Sequence, residues 1–395
     1  PIPMITDDLM EKYKQEIIDL RRTFHEHPEL SFEEVETTKR IAAILDNWGI
    51  PYEINPDKHV GLVAKLTGGH PGKAVALRSD IDGLPVLEKT GFPYASQVEG
   101  KMHACGHDSH MAMLLGAIRM LMDLKEQIYG DVYFVFQPAE ELGVGAKYMM
   151  QFGDWFSKIG AIFGGHIWPT VPAGTIGIRV NEFMAAADEF IIRVHGVQAH
   201  GSEPWMGVDA VVVGSAIVMN LQSLVSREFN ALDPVVITIG TFQSGDRWNI
   251  VSGEAELRGT TRYFRKKLSK DIQEKMNRVI QETAKAYGAT AEFIYNLAVM
   301  PTVNDPECTA IARQAVTEVL GAEAIHENDL VMGGEDFSFY QDQKPGCFVF
   351  VGTYNPDCNA VYSNHSNYFT IDETVLAGGS RVYAQMAIDW LAKKR

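Results

Sequence analysis

Residues 103–141 read HACGHDSHMAMLLGAIRMLMDLKEQIYGDVYFVFQPAEE. Ser109 to Gln127 carries Met111, Leu114, Leu115, Ile118, Leu121 and Met122 at helical spacing, which predicts a strongly apolar helix. Asp131 to Phe136 reads as a strand, and Gln137-Pro138-Ala139-Glu140-Glu141 follows it. A helix feeding a strand, with chemistry-bearing side chains in the loops at both ends, is the repeating unit of an α/β sheet. The loop before the helix, His103-Ala104-Cys105-Gly106-His107-Asp108, holds three side-chain types that bind transition metals. Thiolate sulfur and imidazole nitrogen suit zinc and similar ions, and a neighbouring carboxylate orients a ligating imidazole. Gly106 lets the chain turn so that Cys105 and His107 face one point.

The same alternation extends outward from this stretch. Thr6-Asp7-Asp8 caps a helix running to about Phe24, and Glu33 to Trp48 forms a second, stopped by Gly49. His25 and His27, next to Pro28, read as loop residues near a site. Strands at 61–66 and 74–77 lead to Asp80 and Asp82, placed where a strand ends, the usual place for chemistry in open α/β sheets. Ala161 to Phe163 is another strand, followed by Gly165-His166-Ile167-Trp168-Pro169. The pattern changes near Asn181. Strands at 189–194, 235–241, 253–261 and 290–295, with helices at 208–226 and 267–286, follow the order β-α-β-β-α-β of a ferredoxin-like sandwich. From Pro301 the first pattern resumes, with a helix at 308–320, a strand at 347–351 and a closing helix at 374–394. The expected architecture is α/β: a mostly parallel-sheet catalytic domain in two parts, 1–183 and 298–395, with an inserted α+β domain at 184–297.

Composition narrows the function classes. The 395 residues carry a net charge of -16 and no basic run, which argues against nucleic acid. Four cysteines without a CxxC pair fit a reducing cytoplasm. No signal peptide is visible, and the apolar stretch Ala210 to Leu221 is too short to span a bilayer and reads as a buried helix.

Cys105, His107, Glu141, His166 and His365 all fall in expected loops and together make a donor set for two divalent ions ~3.5–4 Å apart. Adjacent residues of an extended loop point in opposite directions, so one of Glu140 and Glu141 binds metal while the other handles a proton.

His103 to Asp108, Gln137 to Glu141, Gly165 to Pro169 and His365-Ser366-Asn367-Tyr368-Phe369 resemble the metal motifs of the M20 metallopeptidase family. The likeness is to its amidohydrolase branch of aminoacylases, hippurate hydrolases and auxin-conjugate hydrolases. Arg21-Arg22, His25, Pro28-Glu29-Leu30 and the run Ala76 to Pro85 are similar to its N-terminal signatures. The resemblance implies two divalent ions (zinc, manganese, cobalt or nickel) held by Cys105, His107, Glu141, His166 and His365, with Glu140 as general base. Asp82 takes the place of an aspartate that orients a ligand, while Asp80 stands where related branches have a metal-binding histidine. Before His365 the family often has Leu-His; here the chain reads Ser363-Asn364. The inserted domain is implied to form a homodimer and to send His200 of the Gly196–His200 segment into the partner's site as an oxyanion donor. Asn249 and Arg262 are implied to hold a substrate carboxylate, and the loop containing Gly334 to contact substrate. The expected substrate is a small N-acyl amino acid, its acyl part met by loops near Trp168, Trp205, Trp248 and Phe337. A carboxypeptidase or dipeptidase is the same-site alternative, and a non-catalytic binding protein the remote one.

Overall fold

Strands Tyr129–Gln137, His70–Asp80, Ala161–Pro172 and Gly346–Tyr354 lie side by side, each parallel to its neighbour, at the centre of an eight-stranded sheet. Their inner residues are almost continuously buried, as expected for parallel strands covered on both faces. Shorter strands flank them. Leu62–Thr67 and Tyr52–Ile54 continue one side antiparallel, and Ile176–Ile178 and Ile325–Glu327 finish the other. The sequence-derived α/β class therefore holds in this computed structural model, which describes residues 2–395.

Three helices, Asp7–Glu26, His107–Asp123 and Leu376–Lys393, pack against one another beside this sheet. Thr6 caps the first by accepting the Leu9 N–H at 3.1 Å. The second is buried nearly all round. Each fully buried leucine or isoleucine along it, such as Leu114 or Ile118, contributes about 1.5–3 kcal/mol. Gly116 sets how near the three can come. A Cβ there would lie 2.4 Å from Ser380 Oγ and 2.5 Å from Ile17 Cδ1.

Long-range pairing moves two expected boundaries. The strand expected at 161–163 runs on to Pro172, because its register with Gly346–Tyr354 continues through Gly352 opposite Trp168. His166 is consequently a strand residue rather than a loop residue. The helix expected from Ser109 begins at His107, so that imidazole rides on the first helical turn. Similarly, the first helix continues to Glu26, which makes His25 a buried helical residue.

The chain divides into two units, one comprising residues up to Asn181 with Val303–Asp329 and Asp336–Arg395, the other Glu182–Thr302 with Leu330–Glu335. Leu330–Glu335 joins the second unit through backbone bonds of Val331 with Phe183 and Ala185. In that unit Val235–Ser244, Glu254–Tyr263, Ala186–His195 and Thr290–Val299 form an antiparallel sheet in that order. Helices Ala210–Ser223 and Leu268–Ala286 complete the β-α-β-β-α-β order of a ferredoxin-like sandwich. The first of these, expected at 208–226, lies two residues later and continues through a last π-helical turn to Glu228, enough by length and composition to cross a membrane. It is also less buried than expected. Ala210, Val213, Ile217 and Leu221 pack into the unit's core, while Val211, Val212 and Met219 are exposed.

Gly116→Ala is expected to cost about 1–3 kcal/mol by overpacking the three-helix contact. A lowered thermal midpoint checks this, and an unchanged one contradicts the close approach.

Candidate metal centre

The loop from Cys105 to His107 is shaped by Gly106, whose φ of 84° is left-handed and whose missing Cβ would sit 2.3 Å from Ile167 Cγ1. Cys105 Sγ lies 3.5 Å from His166 Nε2. Donor atoms of Cys105, His107 and Glu141 all fall within 4.8 Å of one another, as do those of Asp80, His107, His110 and His166. His107 Nε2 is the common point: 3.2 Å from Asp80 Oδ2, 3.3 Å from Glu140 Oε1 and 3.5 Å from Glu141 Oε1. His365 Nε2 stands 3.7 Å from Glu141 Oε2 on a residue with φ 74°, and its N–H donates to Ala104 O at 2.7 Å. That bond ties the distant His365 to the residue next to Cys105.

Asp80 Oδ2, His107 Nε2 and Glu141 Oε1 are buried without a hydrogen-bond partner. A buried polar atom left unsatisfied costs about 1–3 kcal/mol, more for a charged group. Three such atoms converging beside a thiol and a second imidazole fit divalent cations, which would satisfy them together.

The imidazoles are oriented by their second nitrogens. His107 Nδ1 meets Asp82 Oδ1 at 2.9 Å, and Asp82 Oδ2 accepts the Glu141 N–H at 3.0 Å and the Ser31 hydroxyl at 2.8 Å. His166 Nδ1 donates to Ile167 O at 2.5 Å, which leaves the Nε2 lone pair facing Cys105. The Ile167 N–H in turn donates to His110 Nε2 at 2.9 Å, and His110 Nδ1 donates to Asp80 Oδ1 at 2.6 Å. His110 therefore has both ring nitrogens committed and braces Asp80 and the Ile167 peptide from behind. The loop motifs pass over it; the only signal for it in the sequence is its i, i+3 spacing from His107, which puts both on one helix face. Asp108, the carboxylate next to His107 in the chain, turns away to Arg21 Nε (3.0 Å) and His25 Nδ1 (2.8 Å). The carboxylate beside His107 is Asp82.

Glu140 and Glu141 differ from the expectation of opposite directions. Ala139 takes a left-handed conformation (φ 54°, ψ 37°) and Glu140–Leu142 closes a single 3-10 turn, so both carboxylates approach His107. The Ala139 N–H donates to Glu34 Oε2 at 2.8 Å. Glu34 is buried, and burial together with nearby Asp82 pushes its carboxyl up to about 8, leaving it mostly protonated at neutral pH. The loop's two ends are pinned by Asp336, which accepts from Arg78 (2.8 Å), Gln137 (2.8 Å) and the Ala146 N–H (3.0 Å), all buried. Of the loop Gly333 to Asp336, Asp336 thus has a structural partner in Arg78.

Burial governs the electrostatics. It works against charge on Asp80 and Asp82, yet His107 outweighs it and holds both below the usual carboxylate range. Burial likewise opposes a charged His107, and Asp80 and Asp82 overcome it, holding that imidazole well above its ordinary value. Burial and then Glu141 push the Cys105 thiol up, and burial with His110 pushes His166 down. A bound cation would invert the thiol's position, since coordination deprotonates it.

His200, Asn249, Arg262 and Gly334 lie in the second unit. His200, on the short strand Ala199–His200, is exposed and pairs with Ile250, and the Gly201 N–H donates to Asn249 O at 2.8 Å. His200 and Asn249 are thereby neighbours on one two-stranded ribbon. Arg262 lies opposite Ala187 in the sheet and donates to Met332 O at 3.2 Å; Gly334 packs against Ala187 and Val299. Of the aromatics, Phe337 is a packing residue, fully buried against Phe348 and the Arg78 guanidinium. Trp168 is half-buried, stacked on Phe350 and edge-on to His166. Trp205 and Trp248 are 75% and 88% exposed, so neither belongs to a packed core.

Residues 76–389 match the model of Peptidase family M20/M25/M40. The chain is 38% identical over 372 residues to an N-acetylcysteine deacetylase of Bacillus subtilis, covering 94% of this chain and 96% of that protein. It is 37% identical over 396 residues to a thermostable carboxypeptidase of Saccharolobus solfataricus, covering 98% and 100%. Its structure superposes on a dinuclear metal binding peptidase of the M20 family from Bacillus subtilis with a TM-score of 0.85 at 35% identity, covering 97% and 99%.

His110→Ala is expected to weaken zinc binding about 10- to 100-fold although both its ring nitrogens are engaged by the protein, the scale seen for groups that orient ligands. Titration against a competing chelator measures it, and wild-type affinity would show that His110 carries no such load.

Proposed function

This chain belongs to peptidase family M20/M25/M40, and from that premise we propose that it hydrolyses the amide bond of N-acyl amino acids. It is a metal-dependent hydrolase of amide bonds in small molecules, working with two divalent ions. The observation that carries the proposal is the Glu140 carboxylate standing 3.3 Å from His107 Nε2, at the point where the buried metal donors converge.

Cys105, His107, Glu141, His166 and His365 are assigned to hold the ions, which can be zinc, manganese, cobalt or nickel. When bound, such ions polarise the scissile carbonyl and bring the pKa of water towards neutrality. Glu140 takes the proton from the attacking water and passes it to the leaving amine. Asp82 keeps the His107 ring in place through Nδ1. His200, supplied by a second copy of the chain in a homodimer, donates a hydrogen bond to the carbonyl oxygen as charge builds on it. Asn249 and Arg262 receive the carboxylate of the amino acid, a group suited to a guanidinium fork. Gly334 lets the 333–336 loop lie close to Ala187 beside Arg262. The products are a carboxylic acid and a free amino acid. Four free cysteines support a reducing, cytoplasmic setting.

The second reading is a carboxypeptidase, favoured by the Saccharolobus relative of that name. Assaying N-acetyl- and N-aroyl-amino acids against dipeptides and longer peptides separates the two. Faster turnover of the peptides would replace our reading.

Glu140→Gln is expected to keep its metal and lose more than ~100-fold in kcat, the scale of general-base losses. Metal analysis with single-substrate kinetics checks it, and near-wild-type turnover would remove Glu140 from the role. Arg262→Ala is expected to raise KM about 10- to 100-fold for a substrate with a free carboxylate, and little for its carboxamide, the size of a lost charged hydrogen bond. Equal effects on the two substrates contradict the assignment.

A further inference from the structure

His200 sits where the short strand Ala199–His200 turns back through Gly201, Ser202 and Glu203. The backbone N–H of Ser202 points at His200 Nδ1 from 3.1 Å, and the Ser202 hydroxyl lies 2.7 Å from the same nitrogen. A backbone N–H has no lone pair and can only donate, so Nδ1 must present its own lone pair. Neutral imidazole carries one proton, which the contact therefore places on Nε2. Among the described residues none hydrogen-bonds to Nε2, and the side chain is exposed. The ring is thus held at one edge by residue 202 and offers an N–H at the other.

We propose that Ser202 is a positioning residue that fixes His200 in the Nε2–H tautomer, with that N–H free to donate outward. This rests on the reading of His200 as a hydrogen-bond donor to the substrate carbonyl oxygen. That role needs a proton on the outward nitrogen before the substrate arrives. In the other tautomer the outward nitrogen is an acceptor and repels a developing oxyanion. The backbone N–H and the hydroxyl act differently. The backbone N–H disfavours a proton on Nδ1 only while the ring faces it, and the hydroxyl, the shorter of the two contacts, holds the ring in that rotation; without the hydroxyl the ring can swing off the backbone donor and both tautomers become accessible. Donors that are already aimed cost nothing to reorganise when charge develops.

The test uses the full-length, zinc-loaded protein with 15N-labelled histidine rings. Spectra of wild type and His200→Gln identify the His200 signals. The expected wild-type result is a protonated Nε2 and an unprotonated Nδ1. Ser202→Ala keeps the backbone donor and loses the hydroxyl. It is expected to shift the His200 signals towards a tautomer mixture and to lower kcat about 3- to 10-fold, the scale of one hydrogen bond, with KM within about twofold. Ser202→Thr is expected to restore both. A proton on Nδ1 in the wild type overturns the inference. So do wild-type spectra and kcat in Ser202→Ala when His200→Ala is impaired, an outcome that leaves the proposed function standing. Full activity in His200→Ala overturns the role of His200 itself, and with it the catalytic purpose of Ser202.

Discussion

Asp80, His107 and Glu141 each aim a buried atom that makes no hydrogen bond at a single region a few ångströms across. Such an arrangement is expensive for a protein alone, because several desolvated carboxylates repel one another and a charged His107 is the cation held among them. A divalent cation reverses each term at once. The surrounding fold reads as the apparatus that keeps those atoms in place: Asp82 on the back of His107, His110 between Asp80 and the Ile167 peptide, and Ile167 O on the back of His166.

The sheet supplies the rigidity. Asp80 and Gln137 are register partners at the ends of two parallel strands, and His166 is held opposite Phe350 by a third pair. Side chains on strand ends are fixed more tightly than on loops, which suits a site whose proposed ligands come from residues as far apart as 105 and 365. The Arg78–Asp336 pair adds a second clamp. Both members are fully buried, and Gln137 and Ala146 satisfy the carboxylate that Arg78 does not. Breaking such a pair leaves a lone buried charge, so its job is to hold the 137–146 loop in one conformation.

Much of this is legible in the chain itself. The apolar spacing of Met111 to Met122 marks a core helix, and the order of elements after Asn181 marks the second unit's sandwich, because both depend on local periodicity. The candidate donors that the structure brings together, Cys105, His107, Glu141 and His166, are visible as chemistry clustered around expected strands and helix starts. What is hidden depends on non-local contacts. His166 belongs to a strand only because residues 346–354, some 180 positions later, pair with it. Glu140 and Glu141 share a direction only because Ala139 is left-handed, a conformation rare for alanine and held here by Glu34. His110 looks like part of an apolar helix face, and its partners, Asp80 and the Ile167 peptide, are brought to it by the sheet.

The most direct test of the metal-centred account is anomalous diffraction at the zinc edge from crystals of the zinc-loaded protein. The account predicts two zinc peaks per chain, with Cys105 Sγ at about 2.3 Å from one of them and the remaining ligands drawn from His107, Glu141, His166 and His365. No bound zinc, or zinc seated away from these five side chains, would contradict it.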